Sequence, residues 1–221
     1  MKILVIGTEG DFNEFEKKFG LTNELTLDHR YQFHSTFVDF DVIFDFFVGD
    51  DPELFSNYQG HEGLTVFVNA PKISLSELVY FQEDKLSNYV FGFNGLPTFV
   101  DREILEVSST STDQNVKLKS ICESIGTDFE IVDDRVGLVT PRVIAMIINE
   151  AFYTVQEGTA TKKDIDLGMK LGTNYPHGPF EWCKKIGIQN IYELLEAMYE
   201  DTKDERYKIC PALKKEYLKA Q

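Results

Sequence analysis

Residues 137–182 read GLVTPRVIAMIINEAFYTVQEGTATKKDIDLGMKLGTNYPHGPFEW. From Leu138 to Gln156 apolar residues recur at helical spacing, with Ile144, Ile148, Phe152 and Val155 on one face, and Gly158 is a natural stop. Thr161 followed by Asp164 is a weak capping-box variant that opens a second helix, KKDIDLGMKL, which Gly172 is expected to end. In NYPHGPFEW, Pro176 biases Tyr175 toward extended backbone. Gly178 then serves as N-cap, Pro179 occupies a first-turn position that needs no N–H, and Glu181 suits the helix dipole. The histidine of this stretch, His177, is the one residue without such a task, and a catalytic role would require a partner that the sequence does not point to. IQNIYELLEAMYE and PALKKEYLKA complete an all-helical C-terminal part.

Upstream the texture differs. KILVI (residues 2–6) is a short apolar run ending at Gly7, and DFNEFEKKF then places Phe12, Phe15 and Phe19 on one helical face before Gly20. Further strands are predicted at 24–28, 41–48, 64–69, 88–93, 103–107 and 128–132, with helical pieces near 51–58, 74–80 and 113–125. Such alternation predicts a largely parallel α/β sheet. The expected organisation is an α/β domain over 1–135 and an all-α domain over 136–221.

The composition narrows the function classes. With 43% hydrophobic residues, 18 Phe and 10 Tyr, the 221-residue chain can fill a sizeable core. A formal net charge of −15 opposes nucleic-acid binding, which needs clustered Lys and Arg. No apolar run reaches the length of a bilayer span, and ILVI is too short for the apolar part of a secretion signal, so the expectation is a cytoplasmic protein with no membrane partner. Cys122, Cys183 and Cys210 are widely spaced and odd in number, which signals neither a disulfide framework nor a metal site.

The stretch 137–182 closely resembles the C-terminal domain of the 3-hydroxyacyl-CoA dehydrogenases, including the 3-hydroxybutyryl-CoA enzymes. The shared features are N-E-A, E-G, the D-I-D run ending in M-K-L-G, and the G-P-F-E turn, with a looser continuation to ERYKICPALKKEYL. The resemblance implies a Rossmann-like N-terminal domain, an all-α C-terminal domain of the type also found in 6-phosphogluconate dehydrogenase, NAD as cofactor with no metal, a place in fatty acid metabolism, and a homodimer formed through the helical domain. At His177 the family usually carries Met or another apolar residue, which agrees with a non-catalytic histidine.

The same resemblance implies where chemistry should sit, and there this chain departs from the pattern. The family's G-x-G-x-x-G turn is GTEGDF here, with Glu9 at the second glycine and Phe12 at the third. Gly7, Gly10 and Asp28 are the residues left to contact a cofactor, Asp28 standing where the ribose-binding acid belongs. Alignment places Val68 at the family's catalytic serine, Phe91 at its general-base histidine and Pro141 at its asparagine, while Glu106 keeps the glutamate that orients the histidine. Asn69 and Asn94 remain as candidate substrate-binding amides. Phe91 cannot carry a proton, Val68 cannot donate a hydrogen bond, and Pro141 offers no amide side chain. Without its histidine, Glu106 is expected to be a solvated strand-end carboxylate. The N-terminal part is also shorter than the family's, chiefly between Asp28 and DVIFDFF.

Three readings follow from these departures. The first is a catalytically impaired relative that acts by binding or dimerisation. The second is an active NAD-dependent 3-hydroxyacyl-CoA dehydrogenase that uses non-standard residues. The third is an acyl-CoA-binding protein without redox chemistry, using the cleft between the domains, Asn69 or Asn94, and a lysine such as Lys72, Lys162 or Lys163.

Overall fold

The computed structural model describes residues 1–80 and 88–220. Two compact units divide the chain, Met1–Leu138 and Val139–Gln221.

In the first unit, strands β1 (Lys2–Ile6), β2 (Glu24–Asp28), β3 (Val42–Asp45), β4 (Thr65–Asn69), β5 (Tyr89–Phe93), β6 (Ile104–Ser109) and β7 (Asp128–Val132) form one sheet in the order β2-β1-β3-β4-β5-β6-β7. All neighbours pair in parallel except β5 and β6. The first five strands thus have the doubly wound order 2-1-3-4-5, whose topological switch point lies between the C-terminal ends of β1 and β3. A Rossmann half in the common 3-2-1 order carries a further strand beyond its second; here β2 is itself the edge.

The continuous apolar strands are explained by burial on both faces. On one face Ile3, Val5, Phe44, Phe67, Phe91, Phe93, Leu105 and Val107 pack under helices α1 (Glu9–Phe19) and, later in the chain, Asn115–Ile125. On the other, Leu4, Ile6, Ile43, Val66, Val68 and Val90 pack under Phe37, Phe55 and Tyr58 and under helix α2 (Leu75–Tyr80). The helix Asn115–Ile125, here α3, closes with Gly126 at φ 80°, a left-handed cap in which its N–H returns to the Cys122 carbonyl. Residues 52–58, predicted helical, form a 3₁₀ helix. Strand β3 is shorter than the predicted 41–48, because the Asp45 carboxylate accepts from the N–H groups of Phe47 and Val48 and turns the chain.

The second unit consists of α4 (Thr140–Gln156), α5 (Lys162–Thr173), α6 (Pro179–Ile186), α7 (Ile188–Thr202) and α8 (Pro211–Ala220). The buried face of α4 is Ile144, Ala145, Ile148, Asn149 and Phe152, while Val155 is only half-buried. Asn149 is 3% exposed. Its side chain donates to the Lys208 carbonyl at 2.9 Å and accepts from the Cys210 N–H at 2.9 Å, which fixes the segment leading into α8. Gly158, at φ 75°, ends the turn after α4, and the Thr161 hydroxyl caps the Asp164 N–H at the start of α5. That helix runs through Gly172 and stops at Asn174, which takes the left-handed cap at φ 56°. Glu181 accepts from the Gly178 N–H at 3.2 Å and pairs with Lys170 at 2.5 Å, so the NYPHGPFEW turn is held to α5 by its own charges. His177 lies edge-on to Trp182, with ring centroids 6.1 Å apart.

Candidate functional site

In doubly wound sheets ligands lie beyond the carboxyl ends of the strands, at the switch point. Gly7 leaves β1 there, and its N–H donates to the Asp28 carbonyl at 3.0 Å. A Cβ at Gly7 would stand 3.2 Å from the Asp11 side chain and 3.3 Å from the Phe46 ring, so its own neighbours leave little room for a side chain there. A Cβ at Gly10 would meet nothing closer than the Thr8 hydroxyl at 3.5 Å, and Gly10 is simply an exposed residue in the first turn of α1.

The N-terminus of α1 is where a diphosphate would find unpaired amides. In this chain a capping box occupies it. The Asp11 carboxylate accepts from the Thr8 N–H at 2.8 Å and the Thr8 hydroxyl at 2.7 Å, and the Thr8 hydroxyl accepts from the Asp11 N–H at 3.3 Å. Glu9 adds a second carboxylate in the same turn and lies 3.3 Å from His29 Nε2, whose Nδ1 is 3.1 Å from the Gly7 carbonyl. The positive end of the helix dipole is therefore answered by acid before any ligand arrives.

Asp28 is placed by β2 at the adjoining strand end, yet it is 1% exposed. Its carboxylate accepts from the N–H groups of Arg30, Gln32 and Phe33 at 2.9–3.0 Å, and so shapes the loop after β2. That loop holds Tyr31 at φ 56°. The residues of this strand end do not fit a dinucleotide: the acid meant for ribose is sealed and engaged, and the diphosphate position carries two carboxylates.

Asp45, which sequence reading missed, organises the neighbouring strand end. It is fully buried and accepts from the Tyr31 hydroxyl at 2.8 Å, the Tyr58 hydroxyl at 2.6 Å, and the amides of Phe47 and Val48 at 2.8 and 3.2 Å. Burial pushes its pKa above the usual carboxylate range, an effect that the four hydrogen bonds only partly offset. The same burial, together with the Asp45 charge, raises both tyrosines. A lone acid within the apolar run VIFDFFV was the available signal, since burial of such a group demands partners.

Asn69, Asn94 and Glu106 are brought to one end of β4, β5 and β6. Asn69 Oδ1 accepts from the Gly95 N–H at 2.9 Å, the Asn94 N–H donates to the Glu106 carbonyl at 3.1 Å, and Asn94 Oδ1 accepts from the Leu96 N–H at 3.4 Å. Both asparagines are buried, and their amide oxygens tie down the turn after β5. Glu106 is the third residue of β6 and is 9% exposed, which corrects the expectation of a solvated strand end.

Val68 and Phe91 lie within the core, on opposite faces of the sheet. The register Phe93↔Val107 and Gly92↔Ser108, with strand alternation, puts Phe91 with Leu105 and Val107 on one face and Glu106 on the other. The residue opposite Glu106 is Asn94, just past β5, and the nearest β5 residue on the same face is Gly92, paired with Ser108, where a Cβ would come 2.3 Å from Ser108 Oγ and 3.1 Å from Ala70 Cβ. The structure therefore does not assemble a base–carboxylate pair from positions 91 and 106. Pro141 begins α4 in the second unit. Lys72 is committed to Asp50 at 2.7 Å. Among the described residues no cluster of three or more metal-ligating side chains occurs, and no helix is long and apolar enough to cross a membrane.

Comparison with known proteins follows this division. Residues 137–221 match the family model described as the 3-hydroxyacyl-CoA dehydrogenase C-terminal domain. A probable 3-hydroxybutyryl-CoA dehydrogenase of Bacillus subtilis (strain 168) is 35% identical over 127 residues, covering 58% of this chain and 44% of that protein. The 3-hydroxyadipyl-CoA dehydrogenase of Escherichia coli (strain K12) is 42% identical over 87 residues, 39% of this chain and 18% of that protein. The chain thus matches less than half the length of these curated relatives. In three dimensions, the (S)-3-hydroxybutyryl-CoA dehydrogenase of Ralstonia eutropha superposes with a TM-score of 0.76 over 99% of this chain and 94% of that one, at 18% identity, which establishes the fold.

Proposed function

We propose that the chain, whose helical unit matches the 3-hydroxyacyl-CoA dehydrogenase C-terminal domain and whose whole length shares the fold of such an enzyme, is a member of that family that acts by binding or self-association rather than by hydride transfer. The observation that carries this reading is the Thr8–Asp11 capping box, in which the Thr8 hydroxyl takes the Asp11 N–H and the Asp11 carboxylate, bound to the Thr8 N–H and hydroxyl, sets a negative charge at the helix N-terminus that a dinucleotide's diphosphate needs. Phe91 and Val68 in the core, and Asn94 opposite Glu106, support it, since none of these side chains is an acid or base. Loss of a positioned acid/base alone costs about 10²- to 10⁴-fold in rate. Purified protein given 3-hydroxybutyryl-CoA and NAD should therefore form NADH at least ~10²-fold more slowly than an active relative assayed alongside. Turnover within tenfold of that relative would refute the proposal.

Self-association is the second part of the reading, through the helical unit and into a homodimer. Helix α5 buries none of its residues, and it exposes Leu167 (50%) and Leu171 (78%) one turn apart. On α4, Val143 is half exposed, one turn from the exposed Val139 that precedes the helix. An amphipathic helix that leaves its apolar side uncovered within its own fold favours a second copy as cover. Light scattering should give twice the 25.4 kDa chain mass, and Leu171→Glu should shift the protein to monomer at micromolar concentration without altering its circular dichroism. A wild-type monomer, or an unchanged dimer in the variant, would reject this interface.

A further inference from the structure

The helical unit contains a cavity of about 540 Å³ lined by Phe152, Lys162, Phe180, Cys183, Lys184 and Ile188, and closed on the α8 side by Glu216 and Lys219. Its volume lies within the range of small-ligand sites. Its walls are of two kinds, and each kind is concentrated. Phe152 and Phe180 meet nearly edge to face, with centroids 5.0 Å apart, and the Cys183 thiol, pushed up to about 12 by burial, is a neutral apolar neighbour. Among the described residues the rim carries three ammonium groups against one carboxylate.

Those lysines are not equivalent. Lys162 stands 5.1 Å from the centroids of both the Phe152 and Phe180 rings and forms an ion pair with Glu216, so it is a fixed part of the wall. Lys184 and Lys219 are exposed, and among the described residues neither makes an ion pair. Two cations next to an aromatic floor run against the character of a chain with a net charge of −15, in which repulsion of anions is the general rule. From this juxtaposition we infer that the cavity binds an amphiphilic monoanion, a carboxylate on an aryl or short alkyl body, with the body against Phe152, Phe180 and Ile188 and the head between Lys184 and Lys219. This site lies wholly in the second unit and is independent of the account of the sheet unit.

Titration calorimetry on the full chain with octanoate tests it, with octylammonium and octanol as controls of the same body and different head. Octanoate should saturate with a dissociation constant of roughly 0.1–1 mM, as expected of a ligand this small. Octylammonium should not saturate, and octanol should bind at least ~10-fold more weakly, because it lacks the charge-assisted hydrogen bonds. The Lys184→Gln/Lys219→Gln double variant should lose ~10-fold or more in octanoate affinity while its melting temperature stays that of the parent. Absence of octanoate saturation, equal binding of octylammonium, or unchanged affinity in the double variant would each overturn the assignment. Phe180→Leu keeps the charge and removes the ring; it should weaken octanoate as well, and unchanged affinity there would place the body elsewhere and count against the site.

Discussion

Replacing Asp45 by alanine should destabilise the sheet unit by about 3–5 kcal/mol, a large share of the 5–15 kcal/mol that holds a typical domain together. The carboxylate lies at the end of β3, fully buried, and answers two tyrosine hydroxyls and two backbone amides. Alanine leaves those donors without a partner in a dry environment, and each unsatisfied group costs about 1–3 kcal/mol, with relaxation recovering part of the total. Asp45→Asn is the informative control. Its oxygen can still accept from Phe47 and Val48, and its amide can donate to hydroxyls that rotate to accept, so the cost should be about 1–2 kcal/mol.

The two variants also separate by pH. Burial raises the pKa of Asp45 in the folded state. A raised value means that the proton is held more tightly when folded, so the stabilising contribution is complete below the unfolded value of about 3.9 and diminishes as pH rises through the folded value. The stability gap between the parent and Asp45→Asn should therefore narrow as pH increases from 4 to 8. Urea melts at several pH values measure this gap, and a gap that widens with pH would show that the native carboxylate is ionised and preferred in that form.

Gly178→Ala should be the most damaging single change in the NYPHGPFEW turn. Its φ is −74°, so the requirement is for space and not for an unusual backbone. A Cβ would fall 2.3 Å from Asp166 Oδ1 and 2.4 Å from Asp166 Cα, a backbone atom that cannot swing aside. Relief requires α5 and α6 to separate, which breaks the hydrogen bond from the Phe180 N–H to Asp166 Oδ1 at 2.8 Å and strains the Lys170–Glu181 pair. Overpacking of this kind costs about 1–3 kcal/mol, occasionally more. Since α5 buries no residue of its own, the loss should fall on that helix first. Amide exchange over residues 162–173 should accelerate by ~10-fold or more, and native protection there in the variant would show that the close approach to Asp166 is dispensable.

The legibility of the sequence differs between the two units for physical reasons. In the helical unit the information is local: spacing, Gly158, Thr161 and the Gly178-Pro179-Glu181 group each act within a few residues, and each is found in the predicted place. The end of α5 differs, because a glycine can remain helical while Asn174 adopts the left-handed cap. The sheet was legible as apolar runs, and their C-terminal ends were not. The role of Asp28 depends on three amides that follow it, and the role of Asp45 on Tyr31 and Tyr58, 14 and 13 residues away. Motif spacing aligned Phe91 and Glu106 with a catalytic pair, but spacing along a chain does not fix which side of a pleated strand a residue faces. The β5–β6 register does, and it separates them.

A calorimetric titration of the full chain with NAD decides whether the strand end beside α1 still receives a dinucleotide. With the Asp11 amide taken by the Thr8 hydroxyl, the Asp11 and Glu9 carboxylates at the start of α1, and Asp28 sealed, no saturable heat should appear up to millimolar NAD. Saturable binding at micromolar concentration, abolished by a substitution at Gly7, would contradict it.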